Sequence, residues 1–100
     1  MKGWQQFIES HYVTTEILEK YLEMRLLLKE LGYTEESLSK VSSGPTKLWL
    51  LREELISKVQ ELKKQIEYFG FEISLDEMTS YLMPKFNKIN ELTPLKNGNN

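Results

Sequence analysis

The chain has 100 residues, 40% apolar and 28% charged, with a net charge of −2; that is the make-up of one globular domain and excludes disorder over the whole length. It has no cysteine, which excludes disulfides, thiolate metal sites and cysteine nucleophiles and leans towards a reducing, cytoplasmic setting. The even charge makes non-specific nucleic-acid binding a poor primary role, and with no apolar run at the start and none of about 18 residues anywhere, neither a signal peptide nor a membrane span is expected.

Trp4, Phe7, Ile8, His11 and Tyr12 recur at helical spacing and predict a first short helix over 3–12. Val13-Thr14-Thr15 weakens it. Two threonines before Glu16 read as an N-cap, so a restart near Thr15 is expected, with a bent continuous helix as the alternative. The second segment runs from about Thr15 to Leu31 and stops at Gly32. Ile17, Tyr21, Met24, Leu28 and Leu31 form its stripe, and Leu18, Leu22 and Leu27 widen it to roughly 200° of arc, twice an ordinary amphipathic face. Such a helix has to touch more than one neighbour, either at the centre of a bundle or across to another chain.

Thr34 caps a short helix over 35–41. Ser42-Ser43-Gly44-Pro45 is the clearest break, and Pro45 suits the first position of the next helix. That helix is the longest, 45–69, with the stripe Leu48, Leu51, Leu55, Val59, Leu62, Ile66 and Phe69. Trp49 and Ile56 broaden it, and Glu54 is placed to pair with Lys58 at i,i+4. Ser74 to Glu77 is a capping box. The last helix, 75–91, presents Leu75, Met78, Leu82, Phe86 and Ile89. Pro84 lies opposite that stripe and predicts a kink or restart. Thr93 to Asn100 reads as a frayed polar tail.

The sequence therefore predicts an all-α fold: an antiparallel bundle of four to five helices in a single domain over 1–92, with a flexible tail over 93–100. Its main hairpin pairs 15–31 with 45–69, bridged by the short helix.

Chemical constellations are few. His11 is the only histidine, and a lone histidine is a poor metal site. The paired acids Glu35-Glu36, Glu53-Glu54 and Asp76-Glu77 stand in early helix turns, where they act on the macrodipole. No phosphate loop or nucleophile elbow is present. No catalytic, cofactor or metal residue is assigned, and a small helical enzyme would need a pocket holding Arg25 or Arg52. Arg25 falls inside the apolar arc of the second helix, where a buried guanidinium needs a carboxylate partner; it is expected to form a structural ion pair or to snorkel over Tyr21, with a contact to an anionic partner or ligand as the alternative.

Leu26, Leu50 and Tyr68 fall off the stripes, with Leu50 and Tyr68 on one line. With Trp49, Arg25 and Arg52 they are the candidate partner-binding residues. The expected role is non-enzymatic: a protein-binding or self-associating regulator, inhibitor or assembly factor. The missing alanine and the Lys, Glu, Ile, Asn and Tyr bias suggest an AT-rich source such as a bacterium, phage or mobile element. The second choice is a DNA-binding regulator with a helix-turn-helix over 34–52 presenting Lys47 and Arg52.

Overall fold

The computed structural model describes residues 3–38 and 46–95. They form an all-α bundle with no β-strand among them: α1 (Gly3–Ser10), α2 (Tyr12–Glu30), α3 (Glu35–Leu38), α4 (Thr46–Tyr68) and α5 (Leu75–Leu92). The expected break at residues 42–45 and the remainder of the short helix lie outside the described residues.

α2 is the central element. Its most extensive packing is against α4, then α5, and α1 touches both α2 and α4. This is the outcome its wide apolar arc requires. α2 and α4 run antiparallel, since Lys20 meets Glu54 at 2.6 Å and Lys58 pairs with Glu16 four residues earlier. Glu54 and Lys58, expected to pair with each other, instead reach across to α2. Lys20 donates to Glu54 and Lys58 to Glu16, and each of these hydrogen bonds raises the ammonium above its ordinary value. α5 runs parallel to α2: Tyr21 stacks on Phe86 and Arg25 reaches Thr93.

The restart between the first helices comes earlier than the threonines suggest. His11 is the N-cap, extended at φ −88° and ψ 135°, and its Nδ1 accepts the Val13 amide at 3.2 Å. Val13 and Thr14 are buried, so they are helical core positions and not a break. The His11 ring stacks between Phe7 at 4.6 Å and Tyr12 at 4.7 Å.

Helix ends follow local chemistry. Gly32 and Gly70 adopt positive φ, 78° and 92°. Each closes a Schellman motif: Tyr33 donates back to the Leu28 carbonyl and Phe71 to that of Ile66. Thr34 Oγ1 accepts the Ser37 amide at 2.9 Å, the expected cap. The Ser74–Glu77 capping box is formed in both directions. Pro84 does not break α5, which is helical from Leu75 to Leu92 with Pro84 exposed; no restart occurs. Phe69 does not extend the α4 stripe into the core. It follows the last residue of α4, is 59% exposed, and packs on the Phe7 ring at 5.2 Å.

The interior divides in two. The larger cluster joins Trp4 and Ile8 of α1, Val13 and Ile17 of α2, Leu62 and Ile66 of α4, Ile73 of the linker, and Met78 and Leu82 of α5. The smaller joins Leu28, Leu48 and Leu95. The frayed tail expected from Thr93 is therefore corrected for its first residues. Thr93 and Leu95 are buried, because Leu95 closes the gap between the end of α2 and the start of α4.

Candidate functional site

The site is built where the two clusters meet. α2 holds α4 and α5 apart: each packs on it, while α4 and α5 share no comparable contact with one another. A groove of about 250 Å³ opens between them, lined by Tyr21, Leu55, Ile56, Val59, Gln60, Leu75, Thr79, Leu82 and Phe86. No lining residue carries a charge. Tyr21 forms the floor, its ring stacked on Phe86 with centroids 4.3 Å apart. Its hydroxyl is already used, donating to Asn90 Oδ1 at 2.9 Å. Ile56 on one lip and Leu75 on the other are 47% and 48% exposed.

The groove follows from the sequence of α4. Leu55, Val59 and Ile56 sit side by side, too wide an apolar face for α2 alone to cover. Leu75, Leu82 and Phe86 do the same on α5. The volume lies just under the roughly 300–1,000 Å³ of small-molecule pockets, and a pocket of that kind converges polar groups on its ligand. Here only Gln60 and Thr79 offer free polar ends. The geometry suits inserted apolar side chains.

The residues singled out from sequence are not brought together. Leu26, Leu50 and Tyr68 are exposed, at 49%, 57% and 82%. Leu50 and Tyr68, 18 positions apart on α4, stand roughly 27 Å from each other at 1.5 Å per residue. Trp49 and Arg52 do meet, the guanidinium lying 4.8 Å from the ring centroid. Arg25 is buried as expected, but no carboxylate pairs with it among the described residues. Its Nη2 donates to the Thr93 carbonyl at 3.3 Å instead. The turn of the expected helix-turn-helix lies outside the described residues. Within them, Lys47 is exposed while Arg52 is half-buried against Trp49.

Sequence reasoning missed the groove as a unit, although it placed Tyr21, Leu55, Val59, Leu75, Leu82 and Phe86 on stripes and saw Ile56 as surplus. The available signal was that surplus: two helices carried more apolar arc than one neighbour could cover.

Two further clusters stand apart from it. Glu9 of α1 accepts from the Tyr81 hydroxyl at 2.5 Å and pairs with Lys85 at 2.8 Å on α5. The Lys85 hydrogen bond, then that of Tyr81, holds the Glu9 carboxyl below its usual range, and Glu9 pushes the Tyr81 phenol up to about 12. A phenol held so firmly neutral is a poor base, and the arrangement is a surface latch between helices. At the same end Tyr12, His11, Phe7, Phe69 and Tyr68 form a chain of touching rings. Among the described residues no grouping of three metal-ligating side chains occurs and no helix is long and apolar enough to cross a membrane. Comparisons with protein-family models, curated proteins and solved structures found no match to this chain.

Proposed function

We propose that this chain is a non-enzymatic protein-binding module whose docking surface is the groove between α4 and α5. The observation that carries this reading is the uncharged, open groove with half-exposed Ile56 and Leu75 on its lips. Apolar surface gathered into a concavity is where the central contacts of interfaces concentrate, whereas scattered exposed apolar residues are ordinary. A regulator, an inhibitor or an assembly factor would each use such a surface, and the occupant would be an apolar segment of another chain.

A photo-crosslinking side chain placed at Thr79, an exposed groove residue, tests it in cells that express the protein. The expected result is one or a few discrete adducts that disappear when Ile56→Glu is added. Labelling no different from that of a control position at Glu19 would refute the reading. Light scattering behind size-exclusion chromatography, over a concentration series, then separates a second copy from a different protein.

A further inference from the structure

The outward face of α4 carries a pattern that the groove does not use. At about 100° per residue, Leu50, Glu53, Ser57, Lys64 and Tyr68 fall within about 60° of arc, across the helix from the buried Leu48, Leu62 and Ile66. All five are exposed, Tyr68 most of all. The ion pairs of this helix use other residues: Glu54 meets Lys20, Lys58 meets Glu16 and Glu61, and Lys63 meets Glu67. Glu53 and Lys64 make no ion pair among the described residues. The face therefore holds an unpaired anion and an unpaired cation between two exposed apolar side chains.

The spacing of these four residues is symmetric. Leu50 and Tyr68 are centred on position 59, Glu53 and Lys64 on 58.5, and the two centres lie about 0.8 Å apart along the helix. Laid antiparallel on its own copy about a two-fold axis at that level, α4 brings Leu50 against Tyr68 of the second copy, and Glu53 against Lys64 of the second copy, each contact occurring twice. The uncharged, exposed Ser57 and Gln60 meet near the axis. Glu61, at the flank, comes level with Ser57 of the second copy, so no like charges are opposed. A parallel pairing would set Glu53 against Glu53 and Lys64 against Lys64, so the charges select the antiparallel one.

We propose that a second copy of this chain docks on this face, α4 against α4 and antiparallel, about a two-fold axis between Ser57 and Gln60. Leu50 and Tyr68 supply the apolar contacts at the two ends, and the two Glu53–Lys64 pairs fix direction and register. Glu54 and Lys58, which reach α2, lie to one side of this seam. The groove lip Ile56 lies to the other, about 100° round the helix from Ser57. The seam therefore leaves both grooves of the dimer open and does not depend on what they bind. The contact is small and its ion pairs are exposed, each contributing little, so the dimer is weak, with a dissociation constant on the order of 10⁻⁴ M.

Sedimentation equilibrium of the full chain, at concentrations up to about 1 mM, tests this. A monomer–dimer equilibrium is expected. Glu53→Lys and Lys64→Glu each oppose like charges at both contacts, and each is expected to weaken self-association about tenfold. Both positions are exposed, so the fold tolerates the changes. Mixing the two variants is expected to restore the wild-type affinity, because the mixed dimer again sets Lys against Glu at both contacts. Within one chain residues 53 and 64 stand roughly 17 Å apart, so a change confined to the monomer would not be repaired by mixing. Raised salt is expected to narrow the gap between the wild type and each single variant. Tyr68→Ser is expected to weaken the dimer, and Ile56→Glu to leave it nearly unchanged. A chain that stays monomeric up to about 1 mM, a dimer that neither charge reversal weakens, or no recovery on mixing would overturn the proposal. A dimer lost on Ile56→Glu and indifferent to both charge reversals would overturn it too, by placing the self-contact in the groove.

Discussion

The two ends of this bundle solve the same packing problem with different means. At the end holding Trp4, four helices and the linker converge, and nine buried residues from five segments close on one another. At the end holding Leu28, only α2 and α4 meet among the described helices, and the gap is filled by one side chain from past the last helix, Leu95. A core reached from many directions excludes water by itself, whereas a helix pair leaves a flank that some other segment has to cover. Between the ends, at the level of Tyr21 and Phe86, the flank facing α4 and α5 is covered by nothing in the described chain. That uncovered flank is the groove.

Breaking each end separately sharpens the contrast. Leu62→Ala removes a fully buried side chain of the large cluster and should cost about 3–4 kcal/mol in denaturant unfolding. Leu95→Ala, at the thin end, should cost about 2 kcal/mol. Its effect should be local, raising amide exchange around Leu28 and Leu48 while protection around Leu62 and Ile66 holds. Equal loss of protection at both ends would mean that the clusters are one cooperative core.

Gly3→Ala probes the closeness of packing at the large end. A Cβ built there would lie 2.4 Å from Phe71 Cε1, so the ring has to shift. We expect a loss of about 1 kcal/mol in the same unfolding measurement. No loss would mean that the ring has room to move.

The Glu9–Lys85–Tyr81 latch at that end should be felt through pH, and weakly, because it is exposed. Glu9 has a depressed carboxyl, so its contribution is present above the ordinary carboxylate range and is lost as pH falls through the depressed value. Solvent screening keeps it to about 0.5 kcal/mol or less. Tyr81 runs the other way. Its raised phenol contributes below the ordinary value of 10.0, and that contribution is lost as pH rises towards about 12. Ultraviolet titration should show a tyrosine ionising near 12 that Glu9→Gln returns towards 10.0.

The helices were legible because their signals are local. The stripes of α4 and α5, the glycines at 32 and 70, and the Ser74 box each depend on residues within a turn or two. The position of the α1–α2 break was not, because it turns on whether Val13 and Thr14 are buried. That is decided by α4 and α5, far along the chain. The reach of Glu54 and Lys58 to α2, the burial of Leu95 and the carbonyl partner of Arg25 are likewise long-range facts. Of the candidate site, the sequence offered only surplus apolar arc. Which surplus residues face one another depends on helix register, so Leu26, Leu50 and Tyr68 drew notice for being conspicuous while Ile56 and Leu75 form the lips.

The smallest expected effect on stability comes from the groove itself. Ile56→Glu changes a lip residue that is about half exposed, so unfolding should shift by no more than about 0.5 kcal/mol while docking is lost. The most direct measurement of the central claim is an amide NMR titration of the isotopically labelled chain with a short uncharged apolar peptide, acetyl-Ser-Gly-Leu-Phe-Leu amide. The account predicts shifts confined to the level of Tyr21, Leu55, Ile56, Leu75 and Phe86, abolished by Ile56→Glu. Shifts centred on Leu26, Leu50 or Tyr68, with the groove silent, would contradict it.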